Sequence, residues 1–416
     1  MLGKSKSMAK NKYYLPLIAA ISYLTLVVLS PKNGHEWDNY CWGLWAETIQ
    51  SKGLAAAYNS NSVINYLPLY LYVLKIYSIL VPKAALFEMT YCLKSVSLLF
   101  DVVSIFVLTR LIEPEKKPWK YFLLGLLNIG FIYNSFVWNQ VDGILSFFVF
   151  SSLFSAYKQK PILALCLFLM AINFKLQGII FLPILLALLT ESLNLRRSIQ
   201  AILILITLQC LILLPFILAG NVWNVWETAK GSMDYYPSIS MNAYNFWCLF
   251  YNGSLMFVKD SNTFIFGFTH KQIGLTLFLG CSAIVLLPLF TQSIKRLIGL
   301  EQARTELKTI FLSASLLSLL FFYFNTQMHE RYVHTALIFS TGLAFLYGAW
   351  GQWIILSLAY ALSLESICKI LKLENYNTLM FQPKFMSILY AISLAILFYH
   401  WSKTKPLKGC FKGWIR

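Results

Sequence analysis

Charge is scarce in this chain. Asp, Glu, Lys and Arg make up 12% of its 416 residues, against roughly 25% in soluble globular chains. Acidic residues are the scarcest, at 17 against 34 Lys and Arg. The eight Cys form no CxxC pair and no Cys/His metal spacing, which excludes a zinc-ribbon reading. Cys166, Cys210 and Cys281 lie inside apolar runs and read as small core residues. Cys41 and Cys248 fall in polar loops on one side, but no spacing pattern supports a disulfide between them. No DxD, HExxH, GxSxG, P-loop or GxGxxG pattern stands in a useful context. Neither a metal nor a cofactor is therefore expected. A fixed-period repeat and a low-complexity tract are also lacking, so one domain over residues 1–416 is the simplest organisation.

What the chain has instead is apolar length. Hydrophobic residues make up 58%, and apolar runs of about 18 or more recur from end to end. A soluble domain cannot hide that much apolar surface. The 12 Trp and 24 Tyr suit membrane–water interfaces. The formal charge of +17 does not indicate a nucleic-acid partner, because the basic residues sit in short segments between apolar runs. There they act as topology signals and meet anionic lipid headgroups. Lys4, Lys6, Lys10 and Lys12 precede an apolar run from Tyr13 to Leu29 with no small-residue cleavage site after it. This reads as an uncleaved first helix.

The expected fold is an all-α polytopic membrane protein of about twelve spans. They fall near 13–30, 92–112, 119–136, 142–157, 161–174, 178–190, 198–219, 272–294, 309–325, 332–350, 352–368 and 385–401. With both termini in the cytoplasm, the inner segments hold about 21 of the 34 basic residues in a minority of the loop length. The stretch 65–81 is apolar enough to span, but counting it would move the Arg110–Lys120 cluster outside. It is expected to be an amphipathic or re-entrant helix at the outer interface, with a true span as the alternative. Two long outer loops result, about 31–91 and 220–271, and they are expected to cap an active site.

In this topology the polar residues gather on the outer side. Polar groups near a bilayer are costly, and they serve a function or one another. Glu36 and Asp38 follow the first helix. A carboxylate there can take a proton from an attacking hydroxyl; the competing reading makes Asp38 an N-cap. Trp138, Asn139, Gln140 and Asp142 come next. Amides beside a carboxylate and an indole are a common way to hold a sugar, although Asp142 could also cap a helix and Trp138 anchor an interface. Lys175 suits a phosphate or a snorkelling boundary position, and Gln177 follows it. Asn242 and Asn245 lie in the second long loop. His329, Glu330 and Arg331 stand at a helix start, where a guanidinium fork and the helix dipole suit a phosphate; a plain ion-pair cluster is the alternative. Lys94 and Asp101 lie seven residues apart on one helix face and read as structural charge pairing, with each other or with a neighbour.

The order of these elements resembles the multispanning GT-C glycosyltransferases. An acidic residue in the first outer loop is followed by Asn65-Tyr66-Leu67-Pro68-Leu69-Tyr70 and then by Lys94 to Asp101, which resembles the opening of that superfamily. Trp138-Asn139-Gln140-Val141-Asp142 looks like the Trp-Gly-Gln-x-Asp element of one branch, and Lys175-x-Gln177 and Met328-His329-Glu330-Arg331-Tyr332 are similar to its later motifs. That branch comprises bacterial relatives of the enzyme adding the second mannose of the GPI anchor. The resemblance covers roughly residues 30–335. It departs at Asn139, where Gly is usual, and at Leu67, where the first of two Pro is usual.

The resemblance implies an inverting, metal-independent transfer of a sugar, with mannose favoured, from a polyprenyl-phosphate donor in the membrane lipid. The acceptor is a hydroxyl of a glycan, lipid or protein on the outer face of a bacterial inner membrane. It makes Asp38 the catalytic base and gives the donor phosphate to Arg331, His329 and Lys175. Glu36, Tyr66, Trp138, Asn139, Gln140, Asp142, Gln177, Asn245 and Glu330 complete the substrate-binding set. Two rivals are a flippase for a lipid-linked glycan and a ligase or polymerase using a diphosphate lipid. The nearly apolar inner halves of the spans count against the flippase.

Overall fold

The structure is a computed structural model that describes residues 2–59, 64–232, 234–300 and 303–404, with side chains from Tyr14 onward. The basic side chains Lys4 to Lys12 and most of the Lys403–Arg416 segment lie outside the described residues. Helices dominate. α1 (Leu2–Leu29) leads into α2 (Glu36–Lys52) and a short apolar α3 (Pro68–Leu80). α4 (Lys94–Thr109), α5 (Pro118–Leu126) and α6 (Ile129–Trp138) follow. Then come α7 (Asp142–Tyr157), α8 (Pro161–Phe174), α9 (Leu182–Leu189) and α10 (Leu195–Leu218).

The second long loop carries α11 (Val222–Gly231) and three short strands, β1 (Ser240–Met241), β2 (Thr263–Ile265) and β3 (Phe268–Thr269). The rest is α12 (His270–Leu297), α13 (Leu307–Phe324), β4 (Met328–His329), α14 (His334–Tyr347), α15 (Trp350–Cys368) and α16 (Pro383–Ser402).

The pattern of burial is that of a membrane protein. α7, α13 and α14 are apolar and buried on nearly every side, as central helices of a bundle are. α10 instead presents Ile199, Ile202, Leu203, Ile206 and Leu211 outward. A continuous apolar stripe of that kind is not left facing water.

The span count differs from the expected twelve. Among the described residues, six helices are long and apolar enough to cross a bilayer, or seven if α5 and α6 count as one bent span. The stretches expected as spans at 142–157, 161–174 and 178–190 are helical, but they form pieces of 16, 14 and 14 residues, below the roughly 20 a perpendicular crossing takes. The breaks fall where polar residues stand. Between α5 and α6 the chain bends by 44°, because Asn128 leaves the helical region and its side chain caps Gly130 and Phe131. α3 has 13 residues and is likewise shorter than the roughly 20 a perpendicular crossing takes. The thiols of Cys41 and Cys248 are both free.

Two ties fix the loops. In the first, the amide of His35 donates to the Trp138 carbonyl at 3.1 Å. A Cβ at Gly34 would lie 2.7 Å from that carbonyl oxygen, so the first loop presses onto the end of α6 only because residue 34 is glycine. In the second, β1 pairs in parallel with β4, placing Ser240 opposite Met328 and Met241 opposite His329. At the other end of the bundle, Arg296 pairs with Glu191 at 3.1 Å. Both side chains of that pair are largely buried, at 10% and 3% exposure.

Candidate functional site

Six elements bring their polar ends together. Asp38 lies in the first turn of α2, three residues after His35, which is its N-cap. Its side chain caps nothing. Instead one carboxylate oxygen, Oδ2, accepts from Trp138 Nε1 at 2.7 Å and from Gln140 Nε2, and His35 Nδ1 lies 3.1 Å away. All three contacts converge on that oxygen. Oδ1 accepts no hydrogen bond from any described residue, and the side chain keeps 13% exposure, enough for a ligand to reach it. Burial opposes ionisation of Asp38, but Arg331 and the contacts from His35 and Trp138 outweigh it. The carboxyl is held well below the usual carboxylate range.

The segment that presents Trp138 and Gln140 is wound as a π-helix over Ile132–Trp138, a form that recurs at functional sites. Asn139 ends it in the left-handed region, at φ 78°. Asn and Gly are the residues that take this conformation at little cost, which suits Asn to this turn. Its amide turns away from the cluster to Asn39 Oδ1 and the Thr90 carbonyl. Asn139 therefore joins helices and does not face a ligand. Trp138 is 1% exposed and stacks on His35 with ring centroids 4.6 Å apart. Its indole holds the carboxylate; it offers no open face for stacking a sugar.

Asp142 opens α7, again without capping it. It accepts from Lys175 Nζ at 2.6 Å and lies 3.8 Å from Arg331 Nε. Lys175 sits between the rings of Tyr66 and Tyr332, 5.4 Å from each, so π-faces as well as a carboxylate hold the ammonium. Arg331 Nη1 donates to Glu330 Oε1 at 3.0 Å and approaches His329 Nδ1 at 3.5 Å. The Tyr66 hydroxyl faces Arg331 as well. Lys175 and Arg331 keep 12% and 11% exposure, so both remain reachable. His329 is packed against Tyr236 and Tyr332. Burial and the neighbouring Arg331 hold its pKa well below the ordinary histidine value. It is a neutral imidazole and offers a hydrogen bond, not a charge.

Not every expected residue joins. Glu36 is exposed, and no hydrogen bond or ion pair ties it to the cluster among the described residues. Gln177 is half-buried, and no described contact links it to the cluster, although its Oε1 is buried without a partner. The same holds for Gln140 Oε1, which does belong to the cluster. Buried acceptors without donors call for an explanation, and a hydroxyl-bearing ligand supplies one.

Asn245 is a clamp. Its amide donates to the carbonyls of Phe322 and Asn325 at the end of α13, and its oxygen accepts from Trp247 N. Asn245→Ala is expected to lower stability by about 1–3 kcal/mol, the cost of orphaned buried carbonyls, and to leave ligand affinity at the cluster unchanged. A thermal melt beside a binding titration checks both. Lys94 and Asp101 do not pair with each other. Lys94 donates to the Pro31 and Asn33 carbonyls. Asp101 turns to Ser135 and His334.

His35, Tyr236 and Tyr332 were missing from the expected set. His35 had a signal, since it stands three residues before Asp38 on one helical turn. Tyr332 adjoins Arg331. Tyr236 is brought in only by the β1–β4 pairing. No cluster of three or more potential metal ligands occurs among the described residues.

The fold and site define a helical membrane protein with a buried, partly accessible cluster of two cations and three carboxylates. No family model and no curated protein matches the chain.

Proposed function

We propose that the protein is a glycosyltransferase of the GT-C type. It moves a sugar, mannose by preference, from a polyprenyl-phosphate donor to an acceptor hydroxyl at the outer face of a bacterial inner membrane. On this reading the short helices α7, α8 and α9 cross the bilayer as broken spans completed by the turns that flank them, giving about twelve in all.

One observation carries the proposal. Three contacts converge on one oxygen of Asp38 while its other oxygen accepts none from a described residue, and against its burial Arg331, His35 and Trp138 hold the carboxyl below the usual range. A base beside an anion-binding group is what inverting transfer needs. The acceptor O–H gives its proton to Asp38 Oδ1 as its oxygen bonds to the anomeric carbon. The bond from that carbon to the phosphate oxygen breaks, and the electron pair leaves with polyprenyl phosphate. Arg331 and Lys175 offset the charge that develops there, and fixed charges of this kind supply a large part of such catalysis. Gln140 Oε1 accepts from a sugar hydroxyl, and neutral His329 donates to a phosphate oxygen.

Charge balance adds a prediction. Asp38, Asp142 and Glu330 already match or exceed the two cations, so a phosphate binds only by exchanging for a carboxylate or when one is protonated. Burial pushes the Glu330 carboxyl up, with Arg331 only partly offsetting it, so Glu330 is the group that takes the proton. Protonation removes a negative charge, so the polyprenyl-phosphate sugar, a phosphodiester whose own charge does not change in this range, is expected to bind more tightly as pH falls. In Glu330→Gln it is expected to bind tightly at every pH, with the slope lost. Titrations of both proteins at three pH values measure this.

The direct test is transfer in nanodiscs. Polyprenyl-phosphate mannose and polyprenyl-phosphate glucose are offered separately, with a membrane extract as acceptor source. Consumption of either supports the class and names the donor. Consumption of a diphosphate-linked glycan alone replaces the proposal with a ligase. Inert but folded protein that moves labelled lipid-linked sugar across a vesicle replaces it with a flippase.

A further inference from the structure

A second polar group lies beneath the site, deeper in the bundle, and the proposed chemistry does not use it. Asp101 on α4 is 2% exposed, Ser135 on α6 and His334 on α14 are fully buried, and so is Tyr360 on α15. The two oxygens of Asp101 point in different directions. Oδ2 accepts from Ser135 Oγ at 2.5 Å. Oδ1 lies 3.2 Å from His334 Nε2. Ser135 belongs to the π-helical segment whose end presents Trp138 and Gln140 to Asp38. His334 follows the turn that carries His329, Glu330 and Arg331.

Tyr360 closes the ring. Its hydroxyl lies 3.2 Å from the Arg331 carbonyl, 3.1 Å from Asn134 Oδ1 and 3.5 Å from His334 Nδ1, with its one proton shared among these acceptors. Residues 134–140 and 331–334 are thus bridged twice, once by a carboxylate and once by a phenol. The packing allows no slack. A Cβ at Gly143 would fall 2.4 Å from an Asp101 oxygen, so α7 passes the carboxylate at a distance only glycine permits.

We infer that Asp101 is a positioning residue: it bridges the Asp38-holding segment to the Arg331 turn through Ser135 and His334, and so sets the separation between base and phosphate site. This rests on the function proposed above. A buried charge is costly in this setting, and a bulk structural role could be filled by an apolar side chain. A carboxylate is needed where two donors from different helices must be held at a fixed distance. A displacement of about 1 Å at a reacting centre can cost about a hundredfold in rate.

The test uses the full-length protein in nanodiscs and reads amide hydrogen exchange, thermal stability and transfer. Asp101→Asn is expected to speed exchange in residues 134–141 and 329–334 and nowhere else. It should lower kcat by about a hundredfold while raising donor KM less than about threefold, because the ligand groups themselves remain. Ser135→Ala, a milder change that covers the case of an unfolded Asp101 variant, is expected to loosen 134–141 and leave 329–334 as in wild type. Faster exchange throughout, or none in either segment, overturns the inference. So does a loss in KM with kcat intact. If exchange responds as expected and wild type transfers no polyprenyl-phosphate sugar, the bridge stands and the glycosyltransferase reading fails.

Discussion

Asp38→Asn is expected to fold, melt within a few degrees of wild type, and lose sugar transfer by about a thousandfold. General-base groups contribute about a hundred- to ten-thousandfold, and Asp142, the other carboxylate beside Arg331, is tied to Lys175 at 2.6 Å. The amide keeps an oxygen for Trp138 Nε1 and Gln140 Nε2, so the local packing survives. What it cannot do is take a proton. The variant also removes a negative charge facing Arg331. Polyprenyl phosphate is therefore expected to bind at least as tightly as in wild type, which separates a lost base from a collapsed site. Because Arg331 and the three contacts keep Asp38 ionised far into acid, kcat should stay flat across the neutral and mildly acidic range. The pH dependence should appear in donor binding, through Glu330. Near-normal turnover by Asp38→Asn removes it as the base.

Arg331→Gln is expected to weaken polyprenyl phosphate binding by about a hundredfold, close to 2.7 kcal/mol, and to destabilise the fold by about 3 kcal/mol as well. The two effects have one origin. Arg331 is the shared counter-charge for Glu330 at 3.0 Å, Asp142 at 3.8 Å and, through space, Asp38. Its loss leaves buried carboxylates facing one another across a space that a phosphate must enter. Arg331→Lys separates the parts. It keeps the charge and should recover most of the stability, but a lysine lacks the planar fork, so donor binding should recover only in part. Isothermal titration with polyprenyl phosphate, run beside thermal melts of both variants, reads the two axes. Undiminished binding by Arg331→Gln would falsify the phosphate assignment.

Much of the site could be read from residue order, because topology did the gathering. Asp38, Trp138, Gln140, Asp142, Lys175 and Arg331 stand at helix ends that alternate along the chain, so assigning them to one face of the membrane brought them together. The errors came from side-chain direction, which residue order does not carry. Asn139 and Asn245 looked like ligand amides, but their amides satisfy backbone carbonyls or a neighbouring Asn. Glu36, two residues from Asp38, points to the opposite side of the same turn. The Asp101–His334 contact joins residues 233 positions apart and has no local signature. The helices at 142–157, 161–174 and 178–190 fall close to their expected bounds. The break inside 119–136 was not legible, because apolar composition runs through Asn128 while its side chain stops one helix and caps the next.

The parallel pairing of β1 with β4 has a consequence for how the protein is made. The strands are separated by all of α12 and α13, so they can meet only after that helical hairpin has entered the membrane. Closing so long a loop is slow compared with forming local helices. Arg331 lies just beyond β4, so Asp38 and Asp142 are synthesised long before it and Glu330 immediately before it. Through most of translation the chain therefore carries Asp38 without the guanidinium that faces it and Asp142 with Lys175 as its one cation, and the cluster is among the last parts to form. A chain arrested before β4 would hold Asp38 with its contacts from His35, Trp138 and Gln140 but lack Arg331, so on the function proposed above it would carry the base beside an incomplete phosphate site.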